Sequence, residues 1–382
     1  MRKIISLLLA VTLILLAFAA CSNGGSASTA SPAATSGSAA TAAPTTAAAS
    51  EPAALEQTTF NLGHLNSTAH LLGFVAAEEG FFAEEGLDVT LTLFASAGEM
   101  VTALEGDKLD AAFIGSVPTI TFQSQEHPIS VFGGAMTNGH GYVIKSELVP
   151  GNFKRGDITV LAGRNVASVK NSVQDLELQV LLTDAGLKYK EENTADNDVN
   201  VVYFDSQKDA FNALASGEID AASVYSPYAS LALSQGYTVV YYCNEQEQFD
   251  NQPCCRQVAL TDALRAKPNT YEAFERALIK AYKFSQENTD ATIADVKTYI
   301  DIDPEYIRTE VYGGFALSNP DPDKSATVHL HDSVIDFGYT NDYDITPLYD
   351  TKVYENALNA VIAANPGDSV YADMLTHFKE AN

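Results

Sequence analysis

Apolar and polar residues alternate through TTFNLGHLN (58–66), which predicts a strand. The next run, HLLGFVAAEEGFF, places Leu71, Leu72, Val75 and Ala76 on one helical face, and Asn66, Ser67 and Thr68 ahead of it are residues that start helices. LDVTLTLF (Leu87–Phe94) reads as a second strand, GEMVTALEGD as a helix and LDAAFIGS as a third strand. Strands that alternate with helices predict parallel neighbours, because a parallel pair needs a long return connection. ISVFGGAM follows as a fourth apolar strand and leads through Thr137, Asn138 and Gly139 into YVIKS.

The same order then begins again. NVASVK (Asn165–Lys170) predicts a strand, NSVQDLELQVLLTDAGL a helix ending at Gly186, VNVVYFD a strand, QKDAFNALASGE a helix and IDAASVYS a strand, with TVVYY as one more. One stretch is nearly repeated: ALEGDKLDAAFIGSVP at Ala103–Pro118 and ALASGEIDAASVYSPY at Ala213–Tyr228. Two similar α/β lobes, each sending a strand end toward a shared cleft, account for the duplication. In open α/β sheets ligands sit beyond the carboxyl ends of the strands, where loops and helix N-termini gather. From QPCCRQVALTDAL onward the pattern is mostly helical, with Phe274, Leu278, Ala281 and Phe284 at helical spacing.

The N-terminus changes the setting. Arg2 and Lys3 precede an apolar run from Ile4 to Phe18, and Ala19 and Ala20 precede Cys21, the pattern of an export signal. It resembles the bacterial lipoprotein signal, in which the new N-terminal Cys is acylated, with Phe18 where that signal usually carries Leu. Residues 1–20 are therefore expected to be a signal peptide and Cys21 a lipidation site. Residues 21–57, rich in Ala, Ser, Thr and Gly, are too poor in large apolar residues to offset backbone entropy and read as a disordered tether. The 49 acidic against 22 basic residues, a formal charge of −27, argue against nucleic acid as a partner, which needs clustered cations. Cys243, Cys254 and Cys255 form no C-x-x-C pair and have no His at ligand spacing, so no structural metal is expected.

LGHLNSTAHLLGFVAAEEGFFAEEGLDVTL, the paired D-A-A strands and GRNVASVKNSVQDLELQVLLTDAGL resemble the solute-binding proteins for nitrate, alkanesulfonates, taurine and thiamine pyrimidine precursors, from Thr58 to the C-terminus. The resemblance implies a two-lobed periplasmic-binding-protein type II fold with two interlobe crossings: 58–142 and 248–382 as lobe one, 143–247 as lobe two. It also implies the extracytoplasmic component of an ABC importer, lipid-anchored to the bacterial cell membrane through Cys21, that hands a small solute to permease and ATPase subunits after hinge closure. The solute classes it brings are a sulfonate- or nitrate-type anion and a pyrimidine-type heterocycle. A non-enzyme without cofactor is expected. The alternative is a pyrimidine-precursor synthase-like enzyme on the same fold, since intracellular relatives use a bound pyridoxal cofactor.

Position at strand ends and helix starts selects the ligand-binding candidates. His64, Asn66 and Ser67 follow the first strand, Ser96 precedes a helix whose free N–H groups suit an anion, and Ser116 ends the first repeated strand. Asn138 stands at the turn after the fourth strand. Lys170 and Ser172 open the second-lobe helix, where Asn171 replaces the Gly usual in the family. Tyr225 and Tyr228 end the second repeated strand and suit a flat ligand or ordinary core. Arg256 suits either a bidentate clamp on an anion or a pair with a surface carboxylate, and the neighbouring Cys254 and Cys255 suit either packing or a disulfide to Cys243.

Overall fold

The computed structural model describes residues 54–190, 199–249 and 251–382. The expected signal peptide, Cys21 and nearly all of the expected tether lie outside the described residues. Strands β1 (Thr59–His64), β2 (Asp88–Leu93), β3 (Ala111–Gly115), β4 (Ile129–Asn138), β11 (Pro253–Leu260) and β12 (Ala316–Ser318) form one six-stranded sheet, ordered β12-β4-β11-β3-β1-β2. Strands β5 (His140–Ile144), β6 (Asn165–Val169), β7 (Tyr189–Lys190), β8 (Val199–Phe204), β9 (Ala221–Tyr225) and β10 (Thr238–Tyr242) form the second, ordered β10-β5-β9-β6-β8-β7. β1 is parallel to β2 and β3, and β6 is parallel to β8 and β9, as the alternation of strands and helices predicts. The architecture is a periplasmic-binding-protein fold with two mixed sheets.

The two repeated stretches occupy matching places. β3 lies between β1 and β11, β9 between β6 and β5, and each is buried on both faces. In β3 the side chains alternate between two apolar clusters: Ala111 and Phe113 pack beside Phe60, Phe74 and Phe274, whereas Ala112 and Ile114 pack with Met100, Leu104 and Val131. A fully buried Phe113 contributes on the order of 2–3 kcal/mol, so the strand is held from both sides.

Three features depart from the sequence expectation. The mostly helical C-terminal part begins with a strand: β11 runs antiparallel between β3 and β4 in the middle of the first sheet. Burial on both faces removes the alternation that marks a half-exposed strand. The chain enters the second sheet at His140, a few residues ahead of the expected boundary at 142/143. Docking also starts before Thr58. Glu56 accepts from the N–H groups of Thr270 and Asn269 at 2.9 and 3.3 Å, capping the helix Pro268–Glu287, and Leu55 packs on the core.

The chain passes between the sheets at Asn138–His140 and again between Tyr242 and Pro253. Asn138 and Gly139 both have left-handed backbone, φ 60° and 84°. The Asn138 N–H donates to the Gln252 carbonyl (2.8 Å), and its Oδ1 accepts from the Gln252 N–H (3.0 Å), so the two crossings are tied side by side.

Candidate functional site

Three helices begin beside the same cavity. After β2, β6 and β8 the chain turns into Ala97–Glu105, Val173–Asp184 and Gln207–Ser216, each preceded by a serine in extended backbone. The hydroxyls of Ser96, Ser172 and Ser206 accept from the N–H groups of Glu99, Asp175 and Asp209 at 3.3, 3.2 and 3.2 Å. That is the N-cap geometry, and it leaves the first N–H groups of each helix outside the helical ladder. Those positions (Ala97 and Gly98, Val173 and Gln174, Gln207) line a cavity of about 300 Å³. Much of the remaining wall is apolar, from Leu65, Pro118, Phe122, Val169, Phe204 and Tyr225.

Asn171 supplies the turn that brings Ser172 to the cavity. Its φ is +58°, the left-handed conformation that Gly adopts without cost and that Asn tolerates better than most other residues. Behind this loop the buried Asp175 carboxylate accepts from Ser168 Oγ (2.9 Å), Tyr189 OH (2.7 Å) and Tyr339 OH (2.7 Å). Burial pushes its pKa up, and these hydroxyl donors oppose the rise. Lys170, the cation at the cavity, holds its ammonium 5.0 Å from the Tyr203 ring centroid.

The cavity is also lined by two histidines and two thiols: His70, His140, Cys254 and Cys255. His70 Nδ1 accepts from the Leu65 N–H (3.0 Å), and its ring stacks on Phe113. His140 Nδ1 contacts Glu177 Oε1 and its Nε2 contacts Cys254 Sγ, both at 3.1 Å. Desolvation works against a charge on His140, but the adjacent Glu177 carboxylate and Cys243 together outweigh it and raise the pKa well above the ordinary value.

Of the residues singled out from sequence, Ser67, Ser96, Lys170, Ser172 and Tyr225 line this cavity together. Six others do not. His64 is buried against Phe74 and Tyr299, where desolvation lowers its pKa to about 4. Asn66 donates to Tyr228 OH (3.2 Å), and both line an adjoining opening. Ser116 is buried at the start of the helix Ser116–Ser124 and does not line the cavity, and Asn138 is the crossing residue described above. Arg256 is fully buried: its guanidinium donates to the carbonyls of Cys255 (3.0 Å) and Met136 (3.3 Å) and pairs with Asp323 (3.4 Å). Of the two alternatives for Arg256, the structure shows a carboxylate pair, but with a buried partner where a surface one was expected. Cys243, Cys254 and Cys255 are free and buried, which leaves the disulfide alternative unrealised.

Ser206, Gln174, Gln207, His70 and His140 were missed. Ser206 had a readable signal, since S-Q-K-D repeats the cap-x-x-acid spacing of S-A-G-E and S-V-Q-D. The histidines had none, because the contacts that place them come from residues distant in sequence.

The sequence profile of the NMT1-like family matches residues 53–300. The chain belongs to the NMT1-like family. A relative of this NMT1-like chain in Bacillus subtilis (strain 168), named "Putative binding protein YtlA", is 23% identical over 256 residues, 65% of this chain and 73% of the relative. Among solved structures, the periplasmic nitrate-binding protein NrtA of Synechocystis PCC 6803 superposes with a TM-score of 0.68 at 16% identity, covering 84% of this chain and 92% of that one. The alkanesulfonate-binding protein SsuA of Xanthomonas axonopodis pv. citri, bound to MOPS, gives 0.64 at 15% identity, covering 78% and 99%. The desulfurization enzyme DszB gives 0.58 at 14% identity, covering 79% and 99%. These likenesses establish the fold, which serves binding proteins and an enzyme alike, so function has to be argued from the site.

Proposed function

We propose that this NMT1-like protein is the extracytoplasmic solute-binding component of an ABC importer and that it captures a small organic anion with an apolar body. The observation that carries the reading is the convergence of three serine-capped helix N-termini on one largely apolar cavity. Helix N-termini present N–H donors and a positive dipole end, which favours a sulfonate, carboxylate or similar oxyanion. Leu65, Pro118, Phe122 and Phe204 offer apolar surface for the rest of such a molecule, and Tyr225 adds an aromatic face.

Binding and release proceed by hinge motion at the two crossings, where Asn138 and Gln252 hold the strands together. Opening breaks Thr68 Oγ1 to Ser226 Oγ (2.7 Å), Ser67 Oγ to the Ser226 carbonyl (3.3 Å) and Asn66 to Tyr228, bonds that join the first sheet's loop to the second sheet's strand end. Acylation at Cys21 would tether the protein outside the cell membrane, beside the permease and ATPase subunits that take the solute onward. The family match and the nitrate- and alkanesulfonate-binding functions of NrtA and SsuA support this role. The synthase-like alternative has no observation of its own in its favour.

A thermal-shift panel of nitrate, alkanesulfonates, taurine and thiamine pyrimidine precursors tests the reading. A ligand at about a hundred times its dissociation constant stabilises by roughly 2.7 kcal/mol. Stabilisation by an organic sulfonate or carboxylate is expected. Stabilisation by a neutral pyrimidine alone contradicts the anion assignment.

A further inference from the structure

Neighbouring residues of a regular strand point to opposite faces, which would set the thiols of Cys254 and Cys255 far apart. β11 is irregular here: its register against β4 shifts between Pro253 and Cys255 and again between Cys255 and Arg256. Such bulges re-aim side chains. Both thiols accordingly line the cavity, with Sγ atoms 3.3 Å apart. Their surroundings are as specific as their spacing. Cys254 Sγ lies 3.1 Å from His140 Nε2, and His140 is oriented by Glu177.

We propose that Cys254 and Cys255 are a reversible oxidation site in the cavity wall, converted by a peroxide into a disulfide between adjacent residues. Cys255 is the attacking sulfur. Donation from the Cys254 thiol pulls its pKa well below the ordinary value; burial opposes this, and the nearby His70 and His140 reinforce it. Cys254 is shifted the other way, by burial first and then by its neighbour, so it holds its proton until the second step. Peroxide is close to water in size and fits the cavity.

In the first step Cys255 thiolate forms an S–O bond as the O–O bond breaks, and the departing hydroxide takes up the proton that Cys255 released on ionising to become water. In the second, the Cys254 sulfur attacks Cys255 and its proton passes to the departing hydroxyl oxygen. The S–S bond forms, the S–O bond breaks, and the oxygen leaves as a second water. Two thiols lose two electrons to one peroxide, and the products are one disulfide and two waters.

The disulfide is built to be reversed. Successive Cα atoms are about 3.8 Å apart across a trans peptide, short of the roughly 4.4–6.8 Å that disulfides prefer. Strained bridges have more oxidising potentials and yield readily to mild dithiols.

The test treats the reduced full-length protein with equimolar hydrogen peroxide, alkylates the remaining thiols after unfolding and maps the peptides by mass. The expected product lacks two hydrogen atoms, carries the bridge within the Cys254–Cys255 peptide, leaves Cys243 alkylated and reverts with dithiothreitol. Cys254→Ser should stop at a sulfenic acid on Cys255 that dimedone traps, and Cys243→Ser should behave as the parent. Alkylation of both Cys254 and Cys255 after peroxide would overturn the proposal. So would a bridge that includes Cys243 or Cys21, or direct passage to a sulfinic acid on Cys255. The mapping of the unsubstituted protein decides the matter even if a variant does not fold.

Discussion

Replacing Arg256 with Met separates a structural role from a ligand-binding one. The guanidinium is fully buried, pairs with Asp323 at 3.4 Å and donates to two backbone carbonyls, while its Nε has no partner among the described residues. Met retains much of the volume and removes the charge and the donors. Breaking a buried pair from one side costs about 3–5 kcal/mol, because the partner remains buried without compensation. Here the cost belongs at the low end, about 3 kcal/mol, since Asp323 keeps His377 Nε2 at 2.6 Å and Asn319 Nδ2 at 3.3 Å. Unfolding entropy of roughly 2.1 cal/mol/K per residue, over the roughly 330 residues of the compact unit, converts that to a Tm lowered by about 4 °C. Differential scanning fluorimetry reads the shift, and calorimetric titration reads solute affinity, which should stay within about twofold because Arg256 does not line the cavity. Adding Asp323→Asn should restore part of the loss. An unchanged Tm together with loss of binding would refute the reasoning and return Arg256 to the ligand.

Three further outcomes are expected. Burial pushes the Glu310 carboxyl up to about 7, while its Oε1 accepts from the Ser230 N–H at 2.6 Å. Between about pH 4.5 and 7 the unfolded chain releases this proton while the folded chain keeps it, so stability falls as pH rises through that window by up to about 3 kcal/mol. Glu310→Gln should flatten the dependence of Tm on pH there, and parallel curves for the two proteins would contradict the assignment. At Asn171, with φ +58°, Gly should leave stability and binding unchanged, whereas Val should cost about 1–2 kcal/mol in denaturant melts; equal stability of the two variants would count against the left-handed turn. Gly134→Ala should prevent accumulation of soluble protein, because its methyl would run into the backbone carbonyls of Asn319 and Asp321, which cannot rotate away; a soluble variant with parental Tm would show that this packing is looser.

The paired LDAA and IDAA stretches already marked β3 and β9 as equivalent strands, and the cap residues marked where helices start. Both signals are local, so both survive without a structure. Ser96 and Ser172 were found that way, and Ser206 carries the same spacing. β11 was missed because PCCRQVAL is buried on both faces and so lacks alternation. Arg256 was open to two readings because its partner, Asp323, lies 67 residues further on. His140 meets Cys254 across 114 residues and Glu177 across 37, and no spacing rule spans such distances. The thiol pair owes its geometry to a register shift that only the neighbouring strand defines.

The central claim is that the solute's anionic group rests on the serine-capped helix starts. The measurement that meets it most directly is a crystal structure of the protein with the tightest-binding solute from the panel. The expected result places the anionic group within hydrogen-bond distance of N–H groups at Gly98, Gln174 or Gln207, with its apolar part against Phe122 and Phe204. A solute seated instead in the adjoining opening beside Asn66 and Tyr228, or held away from all three helix starts, would contradict it.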